Sequence, residues 1–116
     1  MLGACAFDIA HIKQIPVELK TDSTESEQFS LIEDVKVNVG TGYSRTLKSG
    51  TRWKCVGKIP QGNVYKTKDQ ILTVEASNIF EADIVVVDEQ LIGFYLPVEG
   101  TFYPLDKSKK LPVNNF

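Results

Sequence analysis

Apolar and polar residues alternate along most of this chain, and the alternation predicts strands. Phe29, Leu31, Val35, Val37 and Val39 share one face of an extended segment, with Ser30, Asp34, Lys36 and Asn38 on the other. Glu33 falls on the apolar face and marks a bend, a bulge or a sheet edge, where a carboxylate still reaches water. Gly40-Thr41-Gly42 and Lys48-Ser49-Gly50 read as turns on either side of a short piece ending at Leu47. Trp53, Cys55, Gly57 and Ile59 then form the inner face of a strand whose outer face carries Arg52, Lys54 and Lys58.

Pro60-Gln61-Gly62-Asn63 is the next turn, followed by Val64 and Tyr65. A strand over Ile71 to Ala76 places Leu72, Val74 and Ala76 together, and Glu75 to Asp83 has room for one helical turn. Ala82 to Val87 is rich in β-branched residues and pairs as a hairpin with Leu91 to Leu96, stopped by Pro97. Thr101 to Leu105 ends the sheet near Pro104. The pattern predicts an all-β domain, a small antiparallel barrel or sandwich of six to seven short strands, on the order of one turn every 8 to 12 residues.

The two ends read differently from this middle. Residues 1–28 are expected to be an N-terminal tether, because Thr21 to Glu27 is polar and acidic and cannot bury enough apolar area to offset its ordering entropy. A strand over Phe7 to Ile15 is the alternative for its first part. Residues 29–105 then form the β domain and residues 106–116 a C-terminal tail, opening on the basic turn Asp106-Lys107-Ser108-Lys109-Lys110.

Leu2-Gly3-Ala4-Cys5 resembles the lipobox of bacterial lipoproteins, in which the cysteine thiol receives a diacylglyceryl group. Only Met1 precedes it here, so the resemblance implies a basic and apolar leader encoded upstream. Gly50-Thr51-Arg52-Trp53, Ile59-Pro60-x-Gly62-x-Val64-Tyr65 and Gly93-Phe94-Tyr95-Leu96-Pro97-Val98-Glu99 resemble segments of small, uncharacterised proteobacterial lipoproteins. That resemblance implies lipidation at Cys5 and, because Ala6 stands where an aspartate would retain the protein at the inner membrane, an outer-membrane location on the periplasmic side. Leu47-x-x-Gly50-Thr51 leading into a Trp-bearing strand also resembles bacterial SH3-like domains, which implies a cytoplasmic interaction domain instead.

Composition narrows the chemistry. At 116 residues the chain fits one domain, and its formal charge of -2 argues against a nucleic-acid binder. One histidine and two cysteines cannot make a four-ligand structural zinc site, and no cofactor motif is present. The near neutrality hides an ordered distribution: eight basic residues and no acid from Val35 to Lys68, then eight acids and no base from Asp69 to Asp106. Either the halves pair across strands, or a basic surface containing Arg52 and Lys54 meets anionic envelope material or an acidic partner.

Aromatic residues supply the other candidate surface. Strand alternation sends one ring of Phe94-Tyr95 and one of Phe102-Tyr103 away from the main core. With Trp53 and Tyr65 they make a partner-binding stripe, unless the outer rings pack beneath the Ile15 to Gln28 segment. Glu75, Glu81, Asp83 and Asp88 are the only grouping that suggests acid–base hydrolysis, and they read more simply as solvent-side residues. The expectation is therefore a non-enzymatic adaptor or binding module for a protein or cell-wall partner. For the unlipidated chain, mass spectrometry after treatment of the native protein with a thiol reagent should show Cys5 modified and Cys55 modified only after unfolding. A Cys5 to Cys55 disulfide would overturn the tether and anchor assignments together.

Overall fold

Turn residues cut the alternating pattern into more pieces than periodicity alone suggests. The computed structural model describes residues 14–21, 27–39, 43–75 and 79–115. Among these residues there are twelve strands: β1 (Ile15–Pro16), β2 (Gln28–Leu31), β3 (Val35–Val39), β4 (Tyr43–Leu47), β5 (Arg52–Ile59), β6 (Gly62–Lys66), β7 (Thr73–Glu75), β8 (Ile79–Glu81), β9 (Asp83–Val87), β10 (Gln90–Leu96), β11 (Thr101–Lys110) and β12 (Val113–Asn115). Eight of them form one sheet in the order β1-β11-β10-β9-β6-β5-β2-β12, while β3-β4 and β7-β8 make separate two-stranded pairs. All strand pairings are antiparallel. The fold is all-β, and its layers are those of a small sandwich.

The bend expected at Glu33 is the corner of that sandwich. Residues 32–33 break the run, so that β2 stays in the large sheet while β3 crosses to pair with β4. Phe29 and Leu31 thus meet Val35 and Val37 across one core, joined by Leu47 of β4 and by Leu72 and Val74 around β7. Trp53 sits fully within it; its indole N–H donates to Thr51 Oγ1 at 2.9 Å, and that hydroxyl donates to the Lys48 carbonyl at 2.7 Å. The buried polar atom of the largest side chain is satisfied by the turn that precedes its own strand. Cys55, on the same face, is buried too.

A second core lies on the opposite face of the large sheet, built from Ile59, Val64, Val85, Tyr95 and Phe102. Ile59 was expected on the Trp53 face. A bulge reverses the phase: Cys55 pairs with Tyr65 but Gly57 pairs with Val64, so Val56 is an extra residue and everything after it faces the other way. Gly57 carries the bulge at a φ of 153°.

The N-terminal segment covers this second core, which corrects the tether assignment for its described part. Ile15 and Pro16 pair with Phe102 and Thr101, and Val17 N–H donates to the Gly100 carbonyl at 3.0 Å. Lys20 and Lys58 exchange both backbone hydrogen bonds, at 2.8 and 2.9 Å, and Val17 and Leu19 pack on the apolar face between these two fixtures. Glu27 also docks, its carbonyl accepting from Cys55 N–H and its carboxylate from the Tyr65 hydroxyl. Entropy favoured a loose segment; two apolar side chains and a matched backbone edge oppose it. Cys5 and the alternative strand from Phe7 lie outside the described residues, apart from the end of that strand at Ile15.

The C-terminal boundary moves as well. β11 continues past Pro104 to Lys110, and β12 returns to pair with β2, Val113 opposite Leu31. Residues 106–115 therefore belong to the sheet rather than to a tail. The helical turn allowed between Glu75 and Asp83 is absent from the described residues there, which form β7, β8 and the start of β9.

Gly57 is the residue on which the N-terminal segment rests. A Cβ at this position would stand 2.6 Å from the Lys20 carbonyl oxygen and 3.0 Å from Leu19 Cδ1. Gly57→Ala should therefore destabilise the protein by roughly 1–3 kcal/mol, combining the strained φ with the clash. Hydrogen exchange should show the Lys20 and Lys58 amides losing protection ahead of the rest of the sheet. Uniform loss across all strands would mean that the segment is not a separately docked unit.

Candidate functional site

The aromatic stripe does not exist as a surface. Trp53 is 1% exposed, Tyr65 5%, Phe94 0% and Tyr95 7%, so none of the four is available to a partner. Trp53, Tyr65 and Phe94 belong to the first core. Tyr95 faces the other way, as alternation requires, and lies under the segment carrying Val17 and Leu19. Tyr65 instead stacks at 4.9 Å on Phe29, tilted by 59°. The packing under the N-terminal segment, the alternative to exposure, is the arrangement found.

Of the two basic candidates, Arg52 is occupied and Lys54 is exposed on the large sheet. Asp69 accepts from Arg52 three times: from the backbone N–H at 2.7 Å and from Nε and Nη2 at 3.1 Å each. The guanidinium hydrogen bond holds the Asp69 carboxyl below its ordinary range and raises Arg52. This pair joins the basic and acidic halves of the sequence, as does Lys66 next to Asp83. Interleaving is partial, since Lys54 and Lys66 stand directly opposite each other.

The acids offered for hydrolysis stand in different surroundings. Glu81 is exposed on β8, Asp88 is exposed in the β9–β10 hairpin turn, and the Glu75 side chain lies outside the described residues. Asp83 differs from these, being only 7% exposed. It opposes Tyr95 on β10, and alternation puts it on the apolar face with Val85. Burial pushes its pKa up to about 6, against the pull of Lys66 and with a smaller push from Glu81.

A groove does form, in a place the sequence reading treated as tail. It has a volume of about 490 Å³ and runs between β3 and the second half of β11. Its apolar lining is Val37, buried in the first core, and half-buried Leu105. Lys36 and Asn38 project from β3, and Lys107, Ser108 and Lys109 line the β11 side, with Asp106 the single carboxylate. A second opening of about 530 Å³ shares Lys36 and Lys109 and extends the groove past Lys110 toward Pro112. Asp34, at that end, already accepts from Ser49 N–H at 2.8 Å.

An irregularity in strand pairing supplies the β11 side. Gly93 pairs with Pro104 and Leu91 with Lys109, so Leu105 to Ser108 stand opposite Ile92 alone. These surplus residues line the groove. The basic run at 107–110 was visible in the sequence; its position opposite Lys36, about 70 residues earlier in the chain, was not. A signal was present in Leu105 and Leu111, which bracket the run with apolar anchors that a free tail would not need. No family model, no curated protein and no solved structure matches the chain.

The buried carboxylate generates a pH test. With its pKa raised from 3.8 to about 6, Asp83 costs the fold nothing below about pH 4, where folded and unfolded chains both hold the proton. The cost grows as pH rises and is complete above about 6, at roughly 3 kcal/mol or less. Asp83→Asn should raise the melting temperature at pH 7.5 and leave it nearly unchanged at pH 4. Loss of stability at pH 7.5 would mean that the charged form makes favourable contacts that outweigh its burial.

Proposed function

We propose that this chain is a non-enzymatic binding module of the bacterial cell envelope. It is anchored through a lipid on Cys5 to the outer membrane, with the β domain on the periplasmic side, and the β3–β11 groove holds a protein or cell-wall partner. The lysine-lined groove carries the reading: an apolar floor, three ammonium groups and one carboxylate on an antiparallel scaffold suit an anionic, partly apolar ligand. None of Glu81, Asp83 and Asp88 lines this groove, which supports binding there rather than acid–base chemistry by those carboxyl groups. Three lysines also fall short of the roughly six to ten phosphate contacts of a strong duplex binder.

Anchoring and binding are tested separately. Expressed from its gene with the natural upstream sequence, the protein should incorporate labelled palmitate and fractionate with outer membranes, and Cys5→Ser should abolish both. Unlabelled protein in the cytoplasm would instead establish the lipid-free interaction domain. A Lys36→Glu, Lys109→Glu double variant should lose crosslinking to the partner from a photoreactive residue at position 38. Its stability should change by no more than about 0.5 kcal/mol per exposed substitution; undiminished crosslinking would remove the groove from the proposal.

A further inference from the structure

Resting on the groove as the binding site, the geometry points to the form of its occupant: an extended protein segment of alternating acidic and apolar residues that joins β3 as an additional strand. β3 is hydrogen-bonded to β4 along one side, in unbroken register from Val35 opposite Leu47 to Val39 opposite Tyr43. Among the described residues no strand pairs with its other side, and Lys36, Val37 and Asn38 of β3 line the groove. Along the roughly 17 Å of these five residues every second one directs its backbone N–H and C=O away from β4, enough for a short peptide to pair.

The two faces of β3 dictate the alternation. Lys36 and Asn38 point outward and are exposed, while Val35 and Val37 point inward at 3% exposure each. A strand laid beside β3 must share that division, because side chains in neighbouring strands line the same faces. Its outward residues stand next to the Lys36 ammonium and its inward residues over Val37 and Leu105. Lys107 and Lys109 on β11 supply two more positive charges on the opposite side. Lysine on an exposed edge also repels basic strands and loses hydration against neutral ones, which selects for an acidic strand and guards against self-pairing.

Strand addition has a signature that simple charge attraction lacks. In a paired strand, alternate backbone N–H groups face the neighbour and the remainder face away. The probe is a seven-residue N-acetylated peptide alternating glutamate and valine, titrated into the uniformly ¹⁵N-labelled chain. The amides of Lys36 to Asn38 and Leu105 to Lys109 should shift. Methylating the peptide nitrogens at odd positions and, separately, at even positions should weaken binding about tenfold or more in one series and little in the other. Lys36→Glu and Lys107→Glu should each weaken the unmodified peptide by about tenfold, and Lys68→Glu, outside the groove, should not.

Equal tolerance of both methylated series, with groove amides still shifting, would overturn strand addition while leaving the groove as an anion-binding site. Shifts confined to other parts of the domain would overturn the groove itself and the proposed function with it. No binding up to millimolar peptide would overturn the strand-addition inference alone, since a cell-wall ligand would remain open to the groove.

Discussion

Two neighbouring strands that each carry two large rings in succession cannot have a wet face. Phe94-Tyr95 on β10 runs antiparallel to Phe102-Tyr103 on β11, with Phe94 opposite Tyr103 and Tyr95 opposite Phe102. One ring pair therefore goes to each side of the sheet. Phe94 and Tyr103 meet edge to face at 6.3 Å on one side, while Tyr95 and Phe102 form the second core on the other. Both faces must be covered, and the remaining elements supply the covers. The β3-β4 and β7-β8 pairs close the first side, and the segment from Gln14 to Thr21 packs on the second.

Two glycines make room at close approaches, one beneath the N-terminal cover and one between neighbouring strands of the sheet. Gly57 leaves space for the Lys20 carbonyl, and Gly93 leaves space for the Phe102 ring and the Tyr103 carbonyl, each 2.6 Å from where a Cβ would stand. Both positions accompany a shift of strand register, so the residues that allow the close approach also redirect the side chains around them. Asp83 is the exception on the second side. Its neighbour Val85 and its cross-strand partner Tyr95 form an apolar surface, and a carboxyl group placed there holds its proton more tightly than in water.

Local alternation made the individual strands legible. Phe29 to Val39 and Trp53 to Ile59 read as extended because each places apolar residues at period two, Leu91 to Leu96 because it partners the β-branched run before it and stops at Pro97, and Glu33 marked the bend between the two layers. Alternation says nothing about a one-residue insertion, so the bulge at Val56 misassigned Ile59, and ring burial on both faces was left as one of two possibilities. Strands of two or three residues, such as β1 and β12, carry no period at all; they exist because a neighbouring edge offers backbone partners. The groove was hidden for a related reason. Lys36 and Lys109 come together only through the sheet order, and no local pattern encodes that order.

That order also decides when the molecule can become itself. One edge of the large sheet is closed by β1 on β11 and the other by β12 on β2, so early segments at both margins await late ones. A chain emerging from the ribosome N-terminus first holds β1 without its partner until β11 has been made, and β2, which can pair with β5 midway, keeps its other edge open until β12. Loop closure over such separations is slow, and its reward comes last. Closure of the two sheet margins therefore waits on the last described strands, while the strands between them can pair as they appear.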